Sequence, residues 1–202
     1  MKKINLCLII IASLGGICYS IIPLINAQIY KFLICLAIIP VMLVPKIIKK
    51  ILKIKLTPMT EFVYLIFVFC AHFLGSIVNL YHLINNYDKI MHLASGIVTA
   101  FFGILIIVNF KKYHKKSIIF NVLFIISFVL MIASFWEFFE YFCDNLFSKD
   151  AQNVLTTGVN DTMNDMIAAF IGAILFNIMY IYEEITNNSL VIKRFIQEIE
   201  KD

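Results

Sequence analysis

Six stretches of this sequence are apolar over a length that matches the hydrocarbon core of a membrane. A helix needs about 20 such residues to cross that core. The stretches cover residues at about 4–26, 29–45, 61–82, 89–109, 117–142 and 162–182. With 61% hydrophobic and 15% charged residues, the chain has more apolar surface than a soluble domain of its size can bury. We therefore predict an all-α membrane protein, a bundle of six transmembrane helices, and exclude disorder and collagen-like fibres.

Basic residues are concentrated at the two termini and between alternate spans. Membrane helices insert so that their basic loops stay in the cytoplasm. With both termini cytoplasmic, 14 basic and 6 acidic residues lie inside, against 3 basic and 7 acidic residues outside. We predict this orientation. The cytoplasmic end of each span is called its inner end, and the opposite end is called its outer end. The outer basic residues are Lys31, Lys89 and Lys149; the inner ones are Lys2, Lys3, Lys46, Lys49, Lys50, Lys53, Lys55, Lys111, Lys112, Lys115, Lys116, Lys193, Arg194 and Lys201.

The sequence also disfavours a secretory signal peptide, a cysteine-based framework and nucleic-acid binding. The first span follows Lys2 and Lys3 as a secretory signal would, but its apolar run exceeds the usual 7–15 residues of such a signal. Cleavage near Ile25-Asn26-Ala27 stays open as an alternative. The five cysteines show no zinc-site spacing, which argues against a thiolate-metal or disulfide framework. The net charge of +4 gives no basic face for nucleic acid.

Ionisable side chains inside a membrane span are costly and mark candidate functional sites. Six of them occupy the outer ends of spans four, five and six: Asp88, His92, Glu137, Glu140, Asp161 and Asp165. Because like charges at one level repel each other, we expect a bound cation, shared protons or a cationic substrate group to offset them. The sequence thus predicts an outward-facing Asp/Glu/His cluster.

The third span carries a quieter polar stripe of His72, Ser76, Asn79 and His82. Spacings of four, three and three residues put them on one helix face, which we expect to point away from lipid. His72 is interpreted as a hydrogen-bonded core residue, and His82 as a residue within reach of the outer cluster. The inner halves of spans three to six are predicted to be poor in polar groups.

The polar residues of spans four to six also form a recognisable pattern: Asp88-Lys89-x-x-His92, then Glu137 with Glu140, then Asp161-x-x-x-Asp165 followed by Gly172. This pattern resembles the VanZ-like and YjdF-like groups of small bacterial membrane proteins over residues 60–175, leaving out spans one and two. The YjdF-like group is the closer match, because VanZ-like proteins usually have Gln where Glu140 stands. The resemblance implies a multi-pass protein of the bacterial plasma membrane with a role in the cell envelope. The VanZ protein itself is associated with glycopeptide-antibiotic resistance.

Our first functional hypothesis is a metal-dependent hydrolase or transferase acting on an outer-leaflet lipid or envelope precursor. Carboxylates with an imidazole suit Mg²⁺, Mn²⁺ or Zn²⁺, which would activate water and hold phosphoryl oxygens. We assign general-base catalysis to Glu140 and the orientation of His92 to Asp88. The predicted metal ligands are His92, Glu137, Asp161 and Asp165. A lipid phosphate is the substrate class that we would test first.

Two alternatives come from other functional classes. The acidic outer end also fits a cation or small-ligand binder or transporter, although no polar path to the inner side is evident. The cluster also fits a structural subunit in which buried charges fix the helix register. We divide the chain into two peripheral spans and a basic loop at 1–58, a four-helix core at 59–184, and a tail at 185–202. The tail is predicted to be an amphipathic helix with Ile192, Phe195, Ile196 and Ile199 on one side.

Overall fold

A computed structural model describes residues 1–113 and 117–201, without the side chain of Lys201. The predicted inner basic residues Lys115 and Lys116, and Asp202 at the end of the predicted tail, lie outside the described residues. Throughout the described ranges the chain forms helices and contains no strand. These ranges confirm the predicted all-α fold class.

Six of the helices are long and apolar enough to cross a membrane. They are α1 (Lys2–Ile25), α2 (Ile29–Leu52), α3 (Pro58–Val68) with its π-helical continuation (Phe69–Ile77), α5 (Tyr87–Asn109), α6 (Ile118–Phe147) and α8 (Asn160–Thr186). The remaining elements are the short helices α4 (Leu80–Leu83) and α7 (Val154–Thr157) and the tail helix α9 (Ile192–Lys201). The predicted six spans are confirmed. Helix α2 contains Pro40 and Pro45 and continues to Leu52, beyond the predicted end at residue 45.

The helices group into two compact units, Met1–Asp88 and Lys89–Asp202, so that the boundary falls in the first turn of α5. In the N-terminal unit, α1, α2 and α3 share one apolar core formed by Ala12, Ile38, Met42, Leu65 and Val68. Spans one and two therefore pack on span three within this unit. The predicted domain boundaries at residues 58 and 184 stay predictions.

The π-helical segment changes the faces that the third span presents. His72 Nε2 lies 2.9 Å from the carbonyl oxygen of Ile34 in α2, which agrees with a hydrogen-bonded core histidine. Ser76, Asn79 and His82 are exposed instead of facing inward with it. The reason is that a π-helix has a wider turn, and Asn79 then adopts a left-handed backbone with φ of 76°. The predicted inward stripe of span three is thus wrong beyond His72.

In the C-terminal unit, α5 and α8 approach each other backbone to backbone. A Cβ atom on Gly96 would overlap the carbonyl oxygen of Ala169, and one on Gly172 would overlap that of Leu93. Glycine is needed here because any side chain would push the two helices apart. This crossing lies one to two turns below the polar outer ends of both helices.

The inner half of this unit is more polar than predicted. Asn121 and Tyr180 are fully buried, and the Asn121 side-chain amide donates a hydrogen bond to the Tyr180 hydroxyl at 2.7 Å. Tyr113 donates to the Glu184 carboxylate at 2.6 Å, and Asn177 is also buried. Burial, followed by the hydrogen bond to Glu184, raises the pKa of Tyr113. Hydropathy does not reveal these groups, because single Asn and Tyr residues hardly change the mean hydropathy of a span.

The tail forms the predicted amphipathic helix and is folded onto the rest of the unit. The residues of its apolar side, Ile192, Phe195, Ile196 and Ile199, are all buried. The ring of Phe195 lies against that of Phe101 in α5, with a centroid distance of 4.2 Å.

A single buried carboxylate holds the start of this tail helix. Glu183 is 1% exposed and accepts hydrogen bonds from the backbone N–H groups of Val191, Ile192 and Lys193 at 3.0, 3.0 and 2.7 Å. Backbone donors at a helix start otherwise lack partners, and their partial positive charge favours an anion. The last turn of α8 therefore caps α9.

We expect Glu183→Ala to release the tail helix. Three backbone donors would lose their acceptor, at a cost of about 1–3 kcal/mol for a buried group. Hydrogen–deuterium exchange at residues 191–193 and trypsin cleavage at Arg194 should both become faster. Glu198→Ala, at an exposed position of α9, is the control and should leave both rates unchanged. Equal exchange in the two variants would contradict the capping role.

Candidate functional site

The candidate site is built on the outer turns of α5 and α8. Asp88, Lys89 and His92 lie in the first two turns of α5, and Asp161 and Asp165 lie one turn apart in α8. Because 3.6 residues make a turn, Asp161 and Asp165 share a helix face. The backbone contact between α5 and α8 below them brings short side chains of the two helices within direct reach.

Lys89 bridges the two carboxylates of α8. Its Nζ lies 2.6 Å from an oxygen of Asp161 and 2.6 Å from an oxygen of Asp165. The three side chains are 30%, 13% and 3% exposed, respectively. An ammonium group shared by two partly desolvated carboxylates removes much of their mutual repulsion.

Lys89 itself supplies part of the positive charge that the acidic cluster requires. We expected a bound cation, shared protons or a substrate group to offset the acidic cluster, and Lys89 offsets two of its members. The sequence predicts Lys89 as an outer basic residue and as part of the Asp88-Lys89-x-x-His92 pattern, but gives it no role in charge pairing. Its position three residues before His92, next to Asp88, was the available signal, because residues at that spacing share a helix surface.

Asp88, His92 and Asp165 form the tightest group of potential metal ligands among the described residues. Each offers one ligand atom, and these atoms lie within 4.8 Å of one another. His92 Nε2 is 3.7 Å from an Asp165 oxygen, and the His92 side chain is 11% exposed. Two carboxylates and one imidazole match the donor preferences of Mg²⁺, Mn²⁺ and Zn²⁺. Three protein ligands also leave an open position, as in catalytic zinc sites. The residues present therefore fit a divalent metal.

The other predicted site residues have different partners. Asp161 accepts a hydrogen bond from the side-chain amide of Asn153 at 2.6 Å, in addition to its contact with Lys89. Glu140 accepts one from the indole N–H of Trp136 at 2.9 Å. The group within 4.8 Å does not include Asp161, Glu137 or Glu140. Their predicted roles as metal ligands and general base stay predictions.

Glu137 is buried, with 5% exposure, in the wall of a groove between the outer halves of α6 and α8. We name this feature, with a volume of about 690 Å³, the outer groove. Its polar lining residues are Ser134, Glu137, Gln152 and Thr162. The Gln152 amide donates to a Glu137 carboxylate oxygen at 3.3 Å and to the Thr162 hydroxyl at 3.2 Å.

The loop that carries Gln152 is fastened to the end of α6. Asp144 accepts hydrogen bonds from the backbone N–H groups of Ala151 and Gln152 at 2.6 and 3.1 Å. Asp144 thus fixes the loop, which in turn places Gln152 beside Glu137. No sequence pattern predicts this arrangement, since it depends on how the loop folds back onto α6.

We expect Lys89→Met to destabilise the protein. Breaking a largely buried ion pair leaves Asp161 and Asp165 uncompensated, and we expect a loss of about 1–3 kcal/mol. Thermal unfolding of the detergent-purified protein measures this as a lower melting temperature. Adding Asp165→Asn to Lys89→Met should restore part of the loss.

The control is Lys31→Met, which removes an exposed lysine at the start of α2. A melting temperature of Lys89→Met equal to that of this control would contradict the bridging role.

Comparison with known proteins places the chain in one family. Searches of curated proteins and of solved structures found no match. The six spans make this a multi-pass membrane protein, with the bacterial plasma membrane as its expected location. The model of a family described as "Predicted membrane protein (DUF2238)" matches residues 4–184, which include all six spans. Since this match covers nearly the whole sequence, the chain belongs to the DUF2238 family of membrane proteins.

Proposed function

We propose that the protein is a metal-dependent hydrolase or transferase acting on an outer-leaflet lipid or envelope precursor. The observation that carries this proposal is the meeting of Asp88, His92 and Asp165 within 4.8 Å. A phosphate-bearing lipid is the proposed substrate class. The resemblance to the VanZ-like and YjdF-like groups supports an envelope role.

In this proposal Asp88, His92 and Asp165 hold the metal. A bound divalent ion would lower the pKa of a water molecule and polarise a phosphoryl oxygen. Asp88 is predicted from the sequence to orient His92, but its place in this group favours a role as a metal ligand. Asp161 holds Lys89 from the other side, and it is therefore proposed as a positioning residue.

Lys89 gives the site a cation of its own. Its ammonium group neutralises the carboxylates of Asp161 and Asp165 and adds positive charge beside the proposed metal ligands. Glu140 remains the proposed general base. Glu137, predicted from the sequence as a metal ligand, is instead proposed to contact the substrate from the outer groove. These roles divide substrate binding from proton transfer, so that single substitutions can separate them.

We expect the purified wild-type protein, loaded with Mn²⁺, to retain about one metal ion per chain, since the group offers one three-ligand site. Asp165→Asn and His92→Ala should each lose it, as elemental analysis would measure. Asp150→Asn, which removes an outer acidic residue away from the group, is the control. Equal metal content in all four proteins would refute the metal site.

We expect Glu140→Gln to keep the metal while hydrolysis of a lipid phosphate falls by about 10²–10⁴-fold, the usual contribution of a general base. Phosphate release from detergent-dispersed lipid phosphate is the measurement. Melting temperatures of the same preparations test the alternative of a purely structural cluster. If Asp165→Asn only lowers stability and the wild type has no turnover, the structural alternative is favoured.

A second proposed function is a cation or small-ligand binder or transporter. The polar inner half of the C-terminal unit favours it, because Asn121, Asn177 and Tyr180 supply polar groups where few are predicted. Under this proposal, proteoliposomes should take up a cation faster than empty liposomes. Uptake should fall in both Asp165→Asn and Asn177→Leu. A rate equal to that of empty liposomes would remove this proposal.

A further inference from the structure

The outer groove has apolar walls that are open at the membrane surface. Phe138, Tyr141 and Phe142 line it from α6 and are 55%, 56% and 67% exposed. Met166 contributes from α8. The three aromatic residues follow Glu137 along the outward-running α6, so they lie at the boundary between lipid and water. A groove of about 690 Å³ lies in the size range of small-molecule sites.

The polar part of the groove lies at the level of lipid headgroups. Glu137 follows Ile118, the first residue of α6, by 19 positions. At 1.5 Å per residue this is about 29 Å along the helix, close to the full thickness of the hydrocarbon core. Trp136 is adjacent, and tryptophan is enriched at this boundary. A ligand with its polar end at Glu137 would therefore have its apolar part in the outer leaflet.

The charge of the groove selects the type of polar end. Glu137 is the only ionisable carboxylate among the described lining residues, and no lysine, arginine or histidine lies among them. A largely desolvated carboxylate favours a cationic group that can also donate hydrogen bonds. The hydroxyl groups of Ser134 and Thr162 add neutral hydrogen-bonding capacity nearby. An anionic headgroup would instead be repelled.

We propose that the outer groove binds a membrane lipid whose headgroup carries a primary amine. The ammonium group is held by Glu137 with the rings of Tyr141 and Phe142 on its outer side, and an acyl chain passes Met166 towards the hydrocarbon core. This inference rests on the proposed function for the view that the bound lipid is a substrate. The binding itself does not depend on metal or on turnover.

The groove and the metal-ligand group occupy neighbouring stripes of α8. Thr162 and Met166 line the groove. Asp161 directly precedes Thr162, and Asp165 directly precedes Met166. Adjacent residues on a helix point about 100° apart, so the two stripes run side by side. A headgroup bound at Glu137 is therefore held next to the helix turn that presents Asp165.

The test is native mass spectrometry of the full-length protein in detergent, titrated with single lipids of matched acyl chains. We expect phosphatidylethanolamine to bind at least about tenfold more tightly than phosphatidylglycerol, with phosphatidylcholine between them. Glu137→Gln should abolish this preference, and Asp150→Asn, which removes an equal charge from the outer loop, should keep it. Ser134→Phe, which fills the groove, should weaken binding of all three lipids.

Melting temperatures identify any variant that fails to fold, and Ser134→Phe then gives a result independent of Glu137→Gln. The proposal is overturned if phosphatidylglycerol binds as tightly as phosphatidylethanolamine, or if Glu137→Gln retains the preference. It is also overturned if a second copy of the chain occupies the groove, seen as a dimer that Ser134→Phe dissociates. If any of these results occurs together with intact metal binding, only the proposal of a lipid groove fails, and the proposed metal-dependent enzyme is unaffected.

Discussion

The backbone contact between α5 and α8 is the constraint on which the C-terminal unit depends. Gly96 and Gly172 each lie where a side chain would overlap a carbonyl oxygen of the facing helix. Helices that approach this closely gain dispersion energy along the whole contact. This gain matters in lipid, because the hydrophobic effect does not drive helices together there. The same closeness lets Lys89 reach the carboxylates of Asp161 and Asp165. A larger residue at Gly96 would disturb both packing and charge pairing.

Charge compensation inside the protein changes how the acidic cluster should be understood. A set of bare carboxylates at a membrane boundary would demand an external cation, whereas the Lys89 bridge satisfies two of them internally. The electrostatic need for a metal is thereby smaller, and the case for one comes from the donor set and spacing of Asp88, His92 and Asp165. Any bound ion would share Asp165 with Lys89, so metal affinity and the strength of the bridge should be coupled.

Local patterns allowed some features to be predicted, and features that arise from packing were missed. The length of apolar runs predicted six spans, and helical periodicity predicted the apolar side of the tail, since both depend on neighbours in sequence. The pairing of Lys89 across two helices could not be read from one helix. The change of register in the π-helical segment after His72 could not be predicted either, because hydropathy does not distinguish helix types.

The capping of α9 by Glu183 has a consequence for synthesis of the protein. The three backbone donors that this carboxylate accepts follow it by 8 to 10 residues, beyond the end of the last span. While the last span is inserting, Glu183 therefore has to stay hydrated at the membrane boundary. Only when the tail has left the ribosome can the carboxylate be buried with its partners. Chains that stop before residue 191 would keep an unsatisfied acidic group at the inner surface, a feature by which proteases could distinguish them from complete chains.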